Sequence, residues 1–302
     1  MSKVKVGLHT IEISNENKVL FPGQKITKGD LIAYYHEIAK RMLPYLEDRP
    51  VVMHRFPDGV SKQGFYEKRV PDHFPKWISR VTVKKEGGEI THGVCNDAAT
   101  LVYLANQACI TPHVWLSKKD KLDYPDQMIF DLDPSGDDFG MVRQTAVSLR
   151  KLLKQVGLIA FVKTSGARGL HVHVPLNRNA NFDTVRSFAR DVANALAERD
   201  PKHLTTEQRK NKRRGRVFLD TNRNAYGQTA APPYSIRPKE GAPVATPLDW
   251  NELKDSKLKP QTYTIRNIFK RLSQKDDPWS DFSRHAASLN SARKKLDRLL
   301  SE

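Results

Sequence analysis

The chain has 302 residues, and its 51 Lys and Arg against 34 Asp and Glu give a formal net charge of +17. That excess favours a polyanionic partner, nucleic acid ahead of an anionic membrane surface. No run approaches the roughly 18 apolar residues a membrane span needs, residues 1–6 carry no signal-peptide core, and Cys95 and Cys109 lack metal-ligand spacing, so a reduced, cytoplasmic, nucleoid-associated protein is expected.

Residues 4–14 alternate apolar and polar and predict a strand. Thr27-Lys-Gly-Asp30 predicts a capping box with Asp in the acidic position. It opens a helix with Leu31, Tyr34, Tyr35, Ile38 and Met42 at helical spacing, ending before Pro50. Residues 51–56 read as a strand closed by the Pro57-Asp-Gly59 turn. Residues 64–68 and 79–84 read as two more, with Gly87-Gly88 as a turn between short strands. A helix is expected over 96–108, capped by Asn96 and burying Leu101, Leu104, Ala105 and Ala108.

Residues 127–133 form an apolar strand that ends in two carboxylates. A helix over about 139–156 follows, with Val142, Ala146, Leu149 and Leu153 on one face. Next come a strand at 158–163, a Gly-rich turn, a strand at 170–175, a strongly periodic helix over 181–198 and a short strand at 217–220. Beyond Asp249 the pattern is of helical pieces broken by Pro260 and Pro278, and 290–300 reads as charged and peripheral. The class is α/β in the mixed α+β sense, without the βαβα rhythm of a doubly wound sheet.

The chemistry concentrates at Asp131 and Asp133. Residues i and i+2 of a strand share a face, so these carboxylates converge and repel unless a cation lies between them. Oxygen-only donors suit a hard divalent ion. A calcium loop starting at Asp131 fails, because Val142 stands where the bidentate Glu belongs. An aspartyl-phosphate phosphatase, with Asp131 as nucleophile, is an alternative. Thr164-Ser-Gly-Ala-Arg-Gly-Leu-His171 joins two strands. Gly166 and Gly169 allow close backbone approach, Ser165 adds a hydroxyl and Arg168 a bidentate phosphate donor, so the stretch reads either as an anion nest or as a plain hairpin turn. It lacks Walker A spacing. His171 and His173 share a strand face, either as satisfied strand histidines or as phosphate-facing or metal-adjacent groups. Asp220 is a third strand-end carboxylate, and Arg237 follows the rigid Pro232-Pro-Tyr turn. The dense basic run over 209–216 reads as a solvated loop.

In that order, D-x-D, S-G-x-x-G-x-H and a lone strand-end Asp resemble the three motifs of the archaeo-eukaryotic primase superfamily. The match is closer still to the polymerase domain of bacterial ligase D. Lys18-Val-Leu-Phe-Pro22, Ile26-Thr-Lys-Gly-Asp30, Arg55-Phe-Pro-Asp-Gly59, residues 126–134 and 164–171, Arg223-Asn-Ala225 and Pro233-Tyr-Ser-Ile-Arg237 all resemble that family, covering roughly 11–253. Arg168 departs from the family's more frequent Lys.

The resemblance implies a primase-like polymerase fold, central β-sheets flanked by helices, as one domain over 1–302 with a core of about 11–253 and a helical extension of about 254–302. It implies a template-directed nucleotidyltransferase that fills gaps and extends ends at double-strand breaks in bacterial non-homologous end joining. Ribonucleotides are preferred, and two Mn²⁺ or Mg²⁺ ions are held by Asp131, Asp133 and Asp220. Ser165, Gly166, Arg168, Gly169, His171, Arg223, Arg237 and His113 match the nucleotide contacts. Lys18, Lys28 and Arg55 match a pocket for a DNA 5′-phosphate, a role three converging cations also suit on physical grounds. Phe65, with Tyr66 beside it, matches an aromatic that stacks on the template. Partners would be gapped or broken DNA, nucleoside triphosphates, a Ku-like end binder and ligase or phosphoesterase domains, with no membrane. No K-x-D-G adenylation motif occurs, so an excised domain and a stand-alone homologue are both open. A primase of the same superfamily and a non-catalytic end-binding scaffold are the alternatives.

Overall fold

A computed structural model describes residues 2–301, and the chain divides into two compact units. The first unit comprises the residues up to Asp120, Thr229–Ala245 and Tyr263–Ser273. The second comprises Lys121–Gln228, Thr246–Thr262 and the residues from Gln274 on.

The stretch expected as one strand is a hairpin, β1 (Ser2–Val6) and β2 (His9–Ile13), because Gly7 takes a left-handed φ of 58° and reverses the chain. Two short strands, β3 (Val19–Phe21) and β4 (Ile26–Thr27), lead into α1 (Lys28–Met42). The capping box forms as expected. Thr27 Oγ1 accepts from the Asp30 N–H at 3.1 Å, and Asp30 Oδ2 accepts from the Thr27 N–H at 2.8 Å. Next come β5 (Pro50–Arg55), β6 (Phe65–Glu67), β7 (Arg80–Lys85) and β8 (Gly88–Val94).

The following helix, α2 (Ala98–Asn106), is capped by Asp97 and not by Asn96. Asp97 Oδ1 accepts from the Thr100 N–H, while Asn96 bonds Asp48 instead. Its last turn gives way to a left-handed Ala108, φ 55°, and then to β9 (Cys109–Trp115), a wholly buried strand that the sequence pattern did not announce. The order β15–β9–β5–β8–β7 makes a sheet in which β6 also pairs with β5, β15 being Thr229–Ala230. Helices α1 and α2 pack together, and the unit's core runs through Leu31, Tyr35, Ile38, Leu101 and Ile110.

The second unit is built on a sheet ordered β13–β14–β10–β12–β11–β16. Its strands are β10 (Gln127–Asp133), β11 (Phe161–Thr164), β12 (Leu170–Pro175), β13 (Leu204–Thr205), β14 (Val217–Asp220) and β16 (Pro247–Leu248). All neighbours are antiparallel except β13 and β14. On one face Met128, Phe130, Leu132, Val162, Val172 and Val174 are fully buried. Helices α3 (Phe139–Gln155) and α4 (Phe182–Arg199) pack on this sheet and bury their own Leu149, Leu153, Val185, Phe188 and Val192. Each such side chain contributes roughly 1.5–3 kcal/mol, and that apolar layer holds the polar face of the sheet in place.

Helix α5 (Ile268–Gln274) buries Ile268 and Leu272 in the first unit's core. The C-terminal helix α6 (Leu289–Ser301) is charged, as expected, yet packs on α4 by burying Leu289, Ala292 and Leu296 and pairing Arg293 with Asp191 at 2.7 Å. No helix among the described residues is long and apolar enough to cross a membrane.

Candidate active site and nucleic-acid interface

The polar face of the second unit's sheet assembles from register. Asp131 on β10 lies opposite Asp220 of β14 on one side and His171 of β12 on the other, and His171 in turn lies opposite Lys163 of β11. Directly opposed residues point to the same face, so Asp220, Asp131, His171 and Lys163 form one row across four strands. Asp133, two residues on from Asp131, joins the same face.

Asp131 is buried, 6 % exposed, with His171 Nε2 at 3.3 Å from Oδ1 and Arg223 Nε at 3.8 Å from Oδ2. Asp220 Oδ1 accepts from the Asn222 N–H at 2.8 Å. Burial and then the Asp131 carboxylate push Asp133 up from 3.8 to about 6; Asp220 adds to the rise, while Arg168 and Arg213 oppose it. Among the described residues no group of three or more His, Cys, Asp or Glu side chains is arranged so as to hold a metal ion. The carboxylates therefore do not form a closed cage on their own. As donors they still fit a hard divalent cation, since they are oxygen-only and their mutual repulsion is what such a charge relieves.

The turn after β11 is held from within. Ser165 Oγ accepts from the N–H groups of Ala167, at 3.1 Å, and Gly169, at 3.0 Å, and the Ser165 N–H donates to the Gly169 carbonyl at 3.0 Å. Two amides counted toward an anion nest are thus engaged in shaping the loop. The two glycines serve different needs. Gly166 adopts a left-handed φ of 65°. Gly169 passes so close to β10 that a Cβ there would lie 1.9 Å from the Leu132 carbonyl oxygen. Arg168 donates to the Pro134 carbonyl at 3.1 Å, which anchors its guanidinium beside the end of β10.

His173 bonds Gln127 at 2.9 Å and lies edge-on to Trp279, a structural role. The basic run is not wholly solvated. Arg213 is buried over the Phe218 ring and donates to the carbonyls of Glu207 and Gln208, and Arg216 donates to the carbonyls of Lys212 and Arg213. Lys163 was not singled out from sequence. Its signal was a cation inside an otherwise apolar strand, two residues before the Ser165 turn.

In the first unit, Lys18 and Lys28 are tied by a backbone bond from the Lys28 N–H to the Lys18 carbonyl at 2.8 Å. Lys28 Nζ donates to the Asn106 carbonyl at 3.1 Å and to Ser14 Oγ at 3.0 Å, and Arg55 Nε donates to the Gln107 carbonyl at 2.8 Å. The carbonyls ending α2 thus gather two cations, as helix C-termini do. Burial and then the Lys18 charge lower the Lys28 pKa. Lys18 pairs with Asp58 at 2.8 Å, and Arg55 with Glu67 at 2.7 Å.

Phe65 and Tyr66 are both about half exposed but point to opposite faces of β6. Phe65 lies opposite Arg55, whose guanidinium sits 5.5 Å from its ring, and Tyr66 lies opposite His54. One base cannot stack on both. Tyr66 is stacked on the His54 imidazole, centroids 4.1 Å apart, with His113 5.5 Å away edge-on. His54, another residue not singled out from sequence, is lowered from 6.5 to about 4 by burial and then the Arg237 charge.

His54 therefore stays neutral through the physiological range. Its carbon-bound ring proton should titrate by NMR near pH 4, and its contribution to stability should erode as pH falls from 6.5 toward 4, where the unfolded chain takes up a proton the folded one refuses. A midpoint near 6.5 would refute the stacked, desolvated imidazole.

Carboxylates, an imidazole and guanidinium groups sharing one sheet face belong chemically with proteins that handle phosphate esters. The particular membership is specific: the chain belongs to the LigD primase-polymerase domain family, whose model matches residues 27–279. It is 33% identical over 277 residues to the Bifunctional non-homologous end joining protein LigD of Bacillus subtilis, covering 91% of this chain and 44% of that protein. It is also 33% identical over 252 residues to the Multifunctional non-homologous end joining protein LigD of Mycolicibacterium smegmatis, covering 82% of this chain and 33% of that one. The chain thus spans less than half the length of these relatives. Among solved structures it resembles the polymerase domain from Mycobacterium tuberculosis ligase D in complex with DNA, with a TM-score of 0.86, 31% identity, and coverage of 92% of this chain and 99% of that one. The mixed α/β polymerase-domain fold expected from the motifs is therefore the fold found.

Proposed function

We propose that this chain is a template-directed nucleotidyltransferase that fills gaps and extends ends at broken DNA, preferring ribonucleotides. The observation that carries the reading is the register of Asp131 with Asp220, with Asp133 two residues on, next to the Arg168 turn. The two units are read as one polymerase domain, since the matched family model runs through both. Joining of breaks, a Ku-like partner and cooperation with ligase or phosphoesterase domains are inferred from the relatives' names and the family resemblance.

Asp131, Asp133 and Asp220 would hold two Mn²⁺ or Mg²⁺ ions, which when bound supply charge stabilisation at the transferring phosphate and activation of a 3′-hydroxyl. The protein's own part is positioning. His171 braces Asp131, and Arg168, fixed on the Pro134 carbonyl, offers its remaining donors to the triphosphate, with Ser165 and Arg223 nearby in the same unit. His113 and Arg237 of the first unit keep the nucleotide assignment of the family resemblance. Lys18, Lys28 and Arg55 take the 5′-phosphate, and either Phe65 or Tyr66 takes the template base.

Primer extension on a gapped duplex, with Mn²⁺ or Mg²⁺ and either ribo- or deoxynucleotides, tests this. Extension should fall about tenfold when the 5′-phosphate is removed, and Lys18→Ala should abolish that difference. Tight DNA binding without extension under either metal would leave a non-catalytic end-binding scaffold.

A further inference from the structure

On its β14 side, β10 is laddered only at its far end, where Asp131 faces Asp220, Leu132 faces Leu219 and Asp133 faces Phe218. Continued toward the start of β10, that register would set Asn222 opposite Ile129. The chain leaves the sheet instead, through one tight helical turn over Asn222–Asn224. Ile129 is fully buried, so its backbone groups need a partner other than water. A side chain supplies it. Asn224 Oδ1 accepts from the Ile129 N–H at 2.8 Å, and Asn224 Nδ2 donates to the Ile129 carbonyl at 2.7 Å. Opposed residues of an antiparallel pair exchange the same two bonds.

The requirement is exacting. Nδ2 also donates to the Thr221 carbonyl at 2.9 Å, which closes the turn on itself, and Asn224 is fully buried. The position therefore calls for one acceptor and two donors on a short stem. An ionised Asp has no donor, and Gln carries the same groups one carbon farther out.

The two residues before it meet the carboxylates. The Asn222 N–H donates to Asp220, and Arg223 Nε lies 3.8 Å from Asp131 Oδ2. One turn thus touches both carboxylates and is anchored on the strand that carries Asp131. The Arg223 side chain is 41 % exposed, and an ion pair at such a site is weak on its own. Asn224, locked to β10, fixes the backbone from which the guanidinium reaches Asp131. A guanidinium held there suits the oxygens of a phosphate chain. We propose that Asn224 is a positioning residue for nucleotide binding: its carboxamide replaces the next rung of the β10 ladder and so holds Arg223 where it meets the triphosphate. This rests on the polymerase reading and adds the group that sets the arginine's place.

The test uses the full chain in primer extension on the gapped duplex, below the melting temperature of every variant. Arg223→Ala should raise the nucleotide KM about tenfold. Asn224→Ala should raise it by a similar factor, and the double variant should be no worse than either alone, because both remove one contact. The KM for the duplex should not change. Asn224→Ser, which keeps one hydroxyl, is the milder variant should Asn224→Ala not fold. Asn181→Ala removes the α4 cap, where Oδ1 accepts from the Thr184 N–H at 3.0 Å; it should lower the melting temperature without moving either KM. An Asn224 variant with a lowered melting temperature and the parent's nucleotide KM would overturn the assignment. So would an unchanged nucleotide KM in Arg223→Ala, or factors that multiply in the double variant. Each of these leaves an active polymerase. Failure of the unmodified chain to extend any primer would overturn the polymerase reading itself, and this role with it.

Discussion

Asparagine at position 133 is expected to remove nucleotide addition and, at the same time, to stabilise the metal-free protein at neutral pH. The Asp133 carboxyl titrates at about 6 in the fold against 3.8 ordinarily. As pH rises from 4 to 6, the unfolded chain releases its proton first, so the folded state loses stability across that window and has lost it fully above about pH 6. The loss is about 2–3 kcal/mol. Asparagine does not ionise and escapes it. Urea denaturation in a chelator should show variant and parent near equal at pH 4 and separated by that amount at pH 8; a separation independent of pH would refute the cause. Added Mn²⁺ should stabilise the parent and leave the variant unmoved. Extension should drop about 10³-fold, the scale of losing a main charge-stabilising group.

Gly169→Ala should be nearly as damaging from a position with no chemistry of its own. The added methyl would meet the Leu132 carbonyl oxygen at 1.9 Å and lie 3.4 Å from Asp133 Oδ1. The obstructing Leu132 carbonyl is backbone and cannot swing aside as a side chain would, so β10 and the turn must separate, at a cost of about 3 kcal/mol or more. Because Asp131 and Asp133 ride on β10, activity should fall further than the drop in melting temperature alone accounts for. Gly136→Ala, with nothing within 4 Å of the new methyl, is the control and should be near neutral. Parent-like melting and extension by Gly169→Ala would show that the two strands are not packed this closely.

These two sites also mark how far the amino-acid order reaches by itself. The Thr27 cap, the start of α1, the extents of α3 and α4, and the shared face of Asp131 and Asp133 were all legible, because each depends on neighbours a few residues apart. The same logic failed where a local signal was missing or misleading. Pro112 lies within β9 and reads as a strand breaker. Ala108 turns left-handed without the glycine that usually announces a helix end. Asn96 and Asp97 are equally good caps on paper.

Register belongs to another category. Asp131 and Asp220 are brought face to face by an antiparallel ladder although two helices and three strands separate them in the chain, Lys163 enters the same row through two intervening pairings, and Phe65 and Tyr66 part to opposite faces with different supports. Sequence order determined which residues carry charge, rings and turns. Only tertiary pairing decided which of them meet, because a one-residue slip of a strand would invert every face while leaving each local pattern intact.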